Sequence, residues 1–444
     1  MKNLLSLIIL LLFLKPLSAQ YANYTITQFL QAVDANNPDL QLALRDVALA
    51  ATQKREALSL ALPKIGAQGS YRRNLKRNYL FVEMPTADSL GDISDVPISF
   101  PINRNNEYAF NVVLSQTLFS FNVGYALQAS DQYEQLTDEV YAVSRQGVFT
   151  WARKAFYSTL LLEEVLEITR AAMENAAENF HEMEVRYAEG LTSEFALLQA
   201  QLRWQSLLPE ISRAERNLEL AYNNLRQLAG WSLEAELKLQ GDLETLPEPP
   251  ARPNLQQVLQ HRPDYNALLW EEKLRRTGVK AQRSGYYPSL DGSFIYAYSS
   301  QADDWAVDDN RNNSWIAGLT LNIPIFTGGY TSAQVQRSRL ELSKNQLRLE
   351  RREGEIQTEL ENVWLRLNES HNRIAVALAN RTVAAKAFSI AENGVESGLV
   401  SQLELKDARL YYDNAQLGYY SAAWEYMNAW FDWQLALGEA DLSE

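Results

Sequence analysis

The chain has 444 residues, 46% of them hydrophobic and none of them cysteine, with a formal net charge of −14. That apolar content is enough to bury one large or several ordinary cores, which excludes a disordered tail. The missing cysteines exclude disulfides, thiolate metal sites, a thiol nucleophile and lipidation at an N-terminal cysteine, and the acidic balance argues against a nucleic-acid partner. Residues 1–19 open the chain with Lys2, an apolar run from Leu4 to Leu14, and small residues at Ser18 and Ala19, the pattern of a signal peptide cut after Ala19. A run of about eleven residues is too short to span a bilayer, which takes roughly 20, and no later stretch offers about eighteen consecutive apolar residues. An exported chain without disulfides points to a bacterial envelope.

The rest of the sequence says one thing twice. "RYAEGLTSEFALLQAQL" (186–202) aligns with "GVESGLVSQLELKDARL" (394–410) at an offset of 208, which pairs Gly190 with Gly398, Leu191 with Leu399 and Ser193 with Ser401. "NPDL" (37–40) answers "RPDY" (262–265), and "LPKIGAQGSY" (62–71) answers "YPSLDGSFIY" (287–296), both at an offset of 225. The predicted repeats are 20–229 and 263–438. A proline-rich connector (230–262, with "LPEPPARPN") joins them as a belt, and a short tail (439–444) follows.

Each repeat begins with a helix, about 38–61 or 264–284, that ends near Pro63 or Pro288. There the apolar period changes from helical to alternating. The pattern predicts strands at about 65–82 and 106–119, then 289–299 and 314–325. Ile65, Tyr71, Tyr79, Phe110, Leu114, Phe294, Tyr296 and Trp315 fall on one face, and Gln68, Asn111, Ser115, Ser293 and Thr320 on the other. Tyrosine and tryptophan on the apolar face, with lengths near the 9–11 residues of a tilted membrane strand, favour membrane strands over a soluble sheet. Four strands cannot close a barrel, because about eight is the smallest closed form, so several chains must share one.

Long helical hairpins follow, about 122–229 and 330–437. Their first arms carry no proline, and their apolar residues recur at spacings of three and four, as coiled-coil packing requires. At 1.5 Å per residue these arms reach roughly 100 Å. Gly190 and Gly398 sit where each helix must reverse, and Ser193 and Ser401 where the return helix begins. Leu191, Leu399 and Val400 are expected to be exposed at these tips and to invite a partner. Pro209 is expected to kink or unwind the first return helix, and Gly147 and Gly354 to mark close helix approach.

The sequence holds no catalytic constellation, phosphate loop or dinucleotide fingerprint, so no enzyme activity and no cofactor are expected. His181, His261 and His371 lack metal-ligand spacing. Asp88, Asp92 and Asp95, and Asp303, Asp304, Asp308 and Asp309, are either solvated loops or weak calcium sites.

Taken in order, "NPDL…LPKIGAQGSY", "LSQTLFSFNVG" (114–124), "RPDY…YPSLDGSF", "LNIPIFTGG" (321–329), the two "GL" tips, and the "LAG" and "ALG" helix ends resemble the TolC family of outer-membrane efflux proteins over nearly the whole mature chain. The resemblance implies a fold that is mainly α with a membrane β-barrel: a homotrimer whose twelve strands close one barrel in outer-membrane lipid and whose long antiparallel hairpins form a periplasmic α-barrel. It implies an exit duct for tripartite efflux or type I secretion. The duct would meet a periplasmic adaptor (a membrane fusion protein) and an inner-membrane pump of the RND or ABC type. The tips Gly190, Leu191, Thr192, Ser193, Gly398, Leu399, Val400 and Ser401 would touch the adaptor, and Glu404 and Asp407 would form a periplasmic constriction. The first repeat has Ala196 in place of Glu404, and Val400 supplies no basic partner, so a clamp here differs from one held by salt bridges. The alternative is a soluble periplasmic coiled-coil adaptor or scaffold, although such proteins carry one hairpin per chain.

Overall fold

A computed structural model describes residues 22–87, 93–307 and 309–439; the expected signal peptide and all but the first residue of the tail lie outside them. The chain is mainly helical and forms two compact units, one made of Ala48–Gln135 with Trp270–Gln346 and the other of the remainder.

The first unit holds a four-stranded antiparallel sheet of β2 (Lys64–Arg73), β5 (Asn106–Phe119), β7 (Ser289–Ala302) and β8 (Asn312–Asn322), in the order β2-β5-β7-β8. Residues paired across an antiparallel ladder share a face. The rungs Ile65–Leu114–Phe294–Ala317 and Ala67–Val112–Tyr296–Trp315 therefore stack into one apolar face. That face is not a core, since Phe294, Trp315 and Leu319 are exposed. The opposite face carries Gln68–Asn111–Ala297–Ser314 and a hydrogen bond from Thr117 Oγ1 to Asp291 Oδ1 at 2.9 Å, with one apolar rung, Val113–Ile295–Ile316, across it.

One expected strand is wrong. The stretch 65–82 is broken at Arg73, and Tyr79 and Phe81 belong instead to a separate hairpin, β3 (Tyr79–Ala87) with β4 (Ile93–Pro101). Asparagines make the break. Asn74 Nδ2 donates to Arg104 O and Glu107 Oε1, its N–H to Asn105 O, and Asn78 O accepts from Ile102 N. These bonds satisfy the backbone that a continuing ladder would have paired.

The second unit contains α1 (Ile26–Asn36), which is followed by α2 (Pro38–Ser59). It also contains most of the long helix α3 (Phe121–Ala188), its return α4 (Glu194–Leu228), α5 (Leu255–His261), which is followed by α6 (Pro263–Arg283), much of the long helix α7 (Tyr330–Glu396), and its return α8 (Gln402–Leu437). Two buried clusters anchor it. Phe29 and Val33 of α1 pack on Phe149 and Phe156 of α3 and Leu225 of α4. Val258 of α5 packs with Ile356 and Leu367 of α7 and with Tyr426 and Trp433 of α8. Each such side chain contributes about 1.5–3 kcal/mol, enough to fix the middle of the long helices.

The two clusters are counterparts, and the two return helices end at equivalent joints. Gly230 (φ 64°) and Gly438 (φ 82°) terminate α4 and α8, and an added Cβ would come within 2.6 Å of Asn36 O and 2.8 Å of His261 O. The connector is more regular than its prolines suggested. It contributes α5 and the short strand β6 (Leu237–Leu239), which pairs in parallel with β1 (Ala22–Tyr24). Pro209 lies inside an unbroken α4. The missing N–H does not unwind it, because one lost bond is small against a 35-residue helix held by tertiary packing. Nothing lies within 4 Å of a Cβ built at Gly147 or Gly354, so neither marks a close helix approach within this chain.

Candidate functional site

Both helix reversals are built from hydrogen bonds at identical positions. At the first, Gly190 N–H donates to Tyr187 O at 3.0 Å and Leu191 N–H to Arg186 O at 2.8 Å; at the second, Gly398 N–H donates to Val395 O at 3.1 Å and Leu399 N–H to Gly394 O at 2.9 Å. This is the Schellman arrangement, which needs a left-handed residue after the helix. Both glycines supply it at φ 74°. The chain then turns over Thr192 or Val400 and restarts at a serine. Ser193 Oγ accepts from Ala196 N at 3.2 Å, and Ser401 Oγ from Glu404 N at 3.3 Å, which satisfies one free helix-end donor in each case.

What the tips present differs. Leu191 and Leu399 are 72% and 85% exposed. Val400 is only half-exposed, contrary to expectation, because it folds back over Gly394, where an added Cβ would overlap it. The first return helix continues the apolar surface with Phe195, Leu198 and Leu202, at spacings of three and four on one exposed face. The second carries Leu403 and Leu410 but has Lys406 at the position equivalent to Leu198. Deeper in each hairpin an aromatic pair stacks across the two arms: Phe180 on Trp204 (5.5 Å, 8°) and Phe388 on Tyr412 (5.7 Å, 2°). Matching identical letters between the repeats finds Phe180 and Phe388 but misses their partners, since tryptophan in one repeat stands for tyrosine in the other.

Glu404 and Asp407 both lie on the exposed first turns of α8. Glu404 has local work: its Oε2 accepts from Ser401 N at 2.8 Å and Ser401 Oγ at 2.9 Å, closing a capping box. The Ser401 backbone and hydroxyl bonds hold this carboxyl below the usual carboxylate range. The motif was present in the sequence as Ser401-x-x-Glu404. Ala196 leaves the first tip without it. Farther along, Arg409 donates to Asp413 Oδ1 at 3.0 Å and lies over Phe388 at 5.1 Å.

The other candidates do not assemble into sites. Among the described residues no three His, Cys, Asp or Glu side chains converge on a possible metal position. His181 Nδ1 lies 3.6 Å from Glu184, His261 Nδ1 meets Gln257 O at 2.8 Å, and His371 packs on Tyr426. Asp303 is ion-paired to both Arg77 and Arg104, which leaves it no spare charge for calcium; Asp88, Asp92 and Asp308 lie outside the described residues. One helix, α7, contains a stretch long and apolar enough by length and composition to cross a membrane, although it holds no unbroken run of about eighteen apolar residues. The same helix carries Arg381, bound through both Nη atoms to Glu244 (2.7 and 3.1 Å) and packed on Tyr419 at 3.9 Å.

Comparison with known proteins gives concordant results. The family described as outer membrane efflux protein matches residues 29–231 and 254–439, skipping most of the connector. The outer membrane protein TolC of Vibrio cholerae is 24% identical over 413 residues, 91% of this chain and 88% of its own. The cobalt-zinc-cadmium resistance protein CzcC of Cupriavidus metallidurans is 26% identical over 302 residues, 66% of this chain and 68% of its own. The crystal structure of the Campylobacter jejuni CmeC outer membrane channel superposes with a TM-score of 0.76 over 94% of this chain and 87% of that one, at 19% identity.

Proposed function

The chain belongs to the outer membrane efflux protein family, and from that membership we propose that three copies close one twelve-stranded barrel and serve as the exit duct of a tripartite efflux or type I secretion system. The observation that carries this reading is the sheet. Its apolar face is exposed, and β2 and β8 each pair on one side only among the described residues. In lipid such edges would leave a row of unpaired N–H and C=O groups, at several kcal/mol each in order of magnitude. Pairing β2 of one copy with β8 of the next removes both edges at once. The long helix supports the same arrangement. Val376, Val383 and Ile390 of α7 recur every seven residues and are exposed, the pattern of a seam awaiting another helix.

The tips Gly190, Leu191, Thr192, Ser193, Gly398, Leu399, Val400 and Ser401 are then the contacts for a periplasmic adaptor, a membrane fusion protein, with an inner-membrane pump of the RND or ABC type supplying the energy. Glu404 and Asp407, one helical turn apart, form a ring of six carboxylates in the trimer, which attracts cations at the periplasmic entrance. Two measurements test this. Light scattering of the detergent-extracted particle, corrected for detergent, should give three chains; a monomer that stays soluble without detergent rejects the duct. Glu404→Gln with Asp407→Asn should lower the cation selectivity of the open pore in planar bilayers, and unchanged selectivity rejects the constriction.

A further inference from the structure

The apolar face of the sheet ends in a charge. Along β2 the row on that face runs Ile65, Ala67, Gly69, Tyr71 and then Arg73, the last residue of the strand. The Tyr71 ring lies 5.2 Å from Tyr108 and 5.8 Å from Trp305, and the Arg73 guanidinium lies 5.2 Å from the Trp305 ring centroid. Trp305 is itself 66% exposed. The loop that carries it is well held. Tyr71 Oη donates to Asn106 Oδ1 at 2.9 Å, Asn106 Nδ2 donates to Asp304 O, and Asp303 is gripped by Arg77 and Arg104.

Three described carboxylates around this corner are already engaged. Asp303 serves the two arginines, Glu107 accepts from Arg72 and Asn74, and Asp304 Oδ1 accepts from Ala306 N. Arg73 has no carboxylate partner among the described residues. A guanidinium that rests its face on an indole keeps its N–H edge free for an anion. Aromatic rings beside a cation, at the polar end of an apolar strand face, are the composition that lipid headgroups meet at a membrane interface.

We propose that Arg73, seated on Trp305 beside Tyr71, binds the phosphate of an outer-leaflet lipid headgroup. This rests on the reading that the aromatic face of the sheet lies in the membrane. A lipid is favoured over a free anion because the apolar row from Tyr71 down to Ile65 continues directly from the charge, and it offers acyl chains a surface contiguous with the headgroup contact.

The test is thermal unfolding of the purified protein in a nonionic detergent, titrated with a bisphosphorylated glycolipid, with the same glycolipid after dephosphorylation, and with inorganic phosphate. Only the phosphorylated lipid should raise the midpoint. Arg73→Gln should keep the lipid-free midpoint but need roughly tenfold more phosphorylated lipid for the same rise, as expected for a lost charged hydrogen bond. Equal stabilisation by both lipids, or an unchanged titration in Arg73→Gln, overturns the site. An equal response to inorganic phosphate overturns the lipid assignment. A lower lipid-free midpoint in Arg73→Gln would instead place Arg73 in an ion pair between copies at the β2 edge. Light scattering on the same samples separates these outcomes from failure of the barrel, which would show as a soluble monomer.

Discussion

The two joints at which the return helices end share a backbone and differ in chemistry. In the first, Asn37 Nδ2 donates to Leu228 O at 2.8 Å while its Oδ1 caps α2 at Asp39 and Leu40; in the second, Arg262 Nη1 donates to Ala436 O at 2.9 Å. The neutral cap stands nearly alone. The arginine is buried and brings a network with it: Asp264 accepts from Arg262 Nε and Nη2 (2.9 Å each) and from Arg352 Nη2 (2.7 Å), and Glu359 lies 3.3 Å from both arginines. The lesson is that the repeat keeps the close backbone contact, which geometry fixes, and leaves open how the helix-end carbonyl is satisfied. Burial pushes the Asp264 carboxyl up, but the Arg262 and Arg352 guanidiniums outweigh it and hold the group below the usual carboxylate range.

The largest expected effect breaks that asymmetry. Asp264→Ala takes its main carboxylate from a buried arginine, leaving it Glu359 and Ala436 O, and should cost roughly 3 kcal/mol, whereas Asp39→Ala, an exposed first-turn carboxylate, should cost about 0.3–1 kcal/mol. Denaturant midpoints of the two variants in one detergent decide it, and equal losses would show that the network contributes nothing special. The sign in pH follows. The Asp264 contribution is present above the unfolded carboxylate pKa and is lost as pH falls through the depressed folded value, so acid should narrow the gap between wild type and Asp264→Ala.

Next come the glycines, where the joints should part from the tips. Gly230→Ala and Gly438→Ala meet both a left-handed φ and a carbonyl, so roughly 2–4 kcal/mol each is expected. Gly190→Ala and Gly398→Ala meet only the φ, with open space around the new Cβ, and should lose about 1–2 kcal/mol equally. A tip variant as damaging as a joint variant would mean that space at the tip is occupied in the assembled protein. Cap removal is smaller: Ser193→Ala should cost about 1 kcal/mol, and Ser401→Ala somewhat more because the box partner is lost too. The smallest effect is the acid sensitivity of the second tip. Hydrogen exchange of the first amides of α8 should speed up as pH falls through the lowered Glu404 value, after correction for intrinsic rates. Those of α4, which begin beside Ala196, should not.

Much of the architecture was legible because it depends on period and on residues with unusual backbone freedom. The change from three-and-four spacing to alternation located β5, β7, β8 and the long helices, and the paired glycines located both reversals. Failures fell where side chains overrule pattern. Tyr79 and Phe81 keep the alternation of β2 in phase, so nothing in the period marks the break; the Asn74 and Asn103 side chains do, through bonds to backbone groups about 25 to 30 positions away. The strands β1 and β6 are three residues each, too short to show a period at all. Val400 looked exposed by analogy with its neighbour Leu399 until Gly394, which replaces Arg186 of the first hairpin, left room for it to fold back.

The sequence by itself determined the duplication, the positions of the reversals and the two-faced strands, because each follows from local φ preferences and from which side of an element is apolar. Only the tertiary structure decided that Trp204 and Tyr412 stack on Phe180 and Phe388, that Arg73 rests on Trp305, and that Arg262 shares Asp264 with Arg352. The physical reason is that hydrogen bonds and ion pairs depend on directions and distances of about 3 Å between residues far apart in the chain, and periodicity carries no information on that scale.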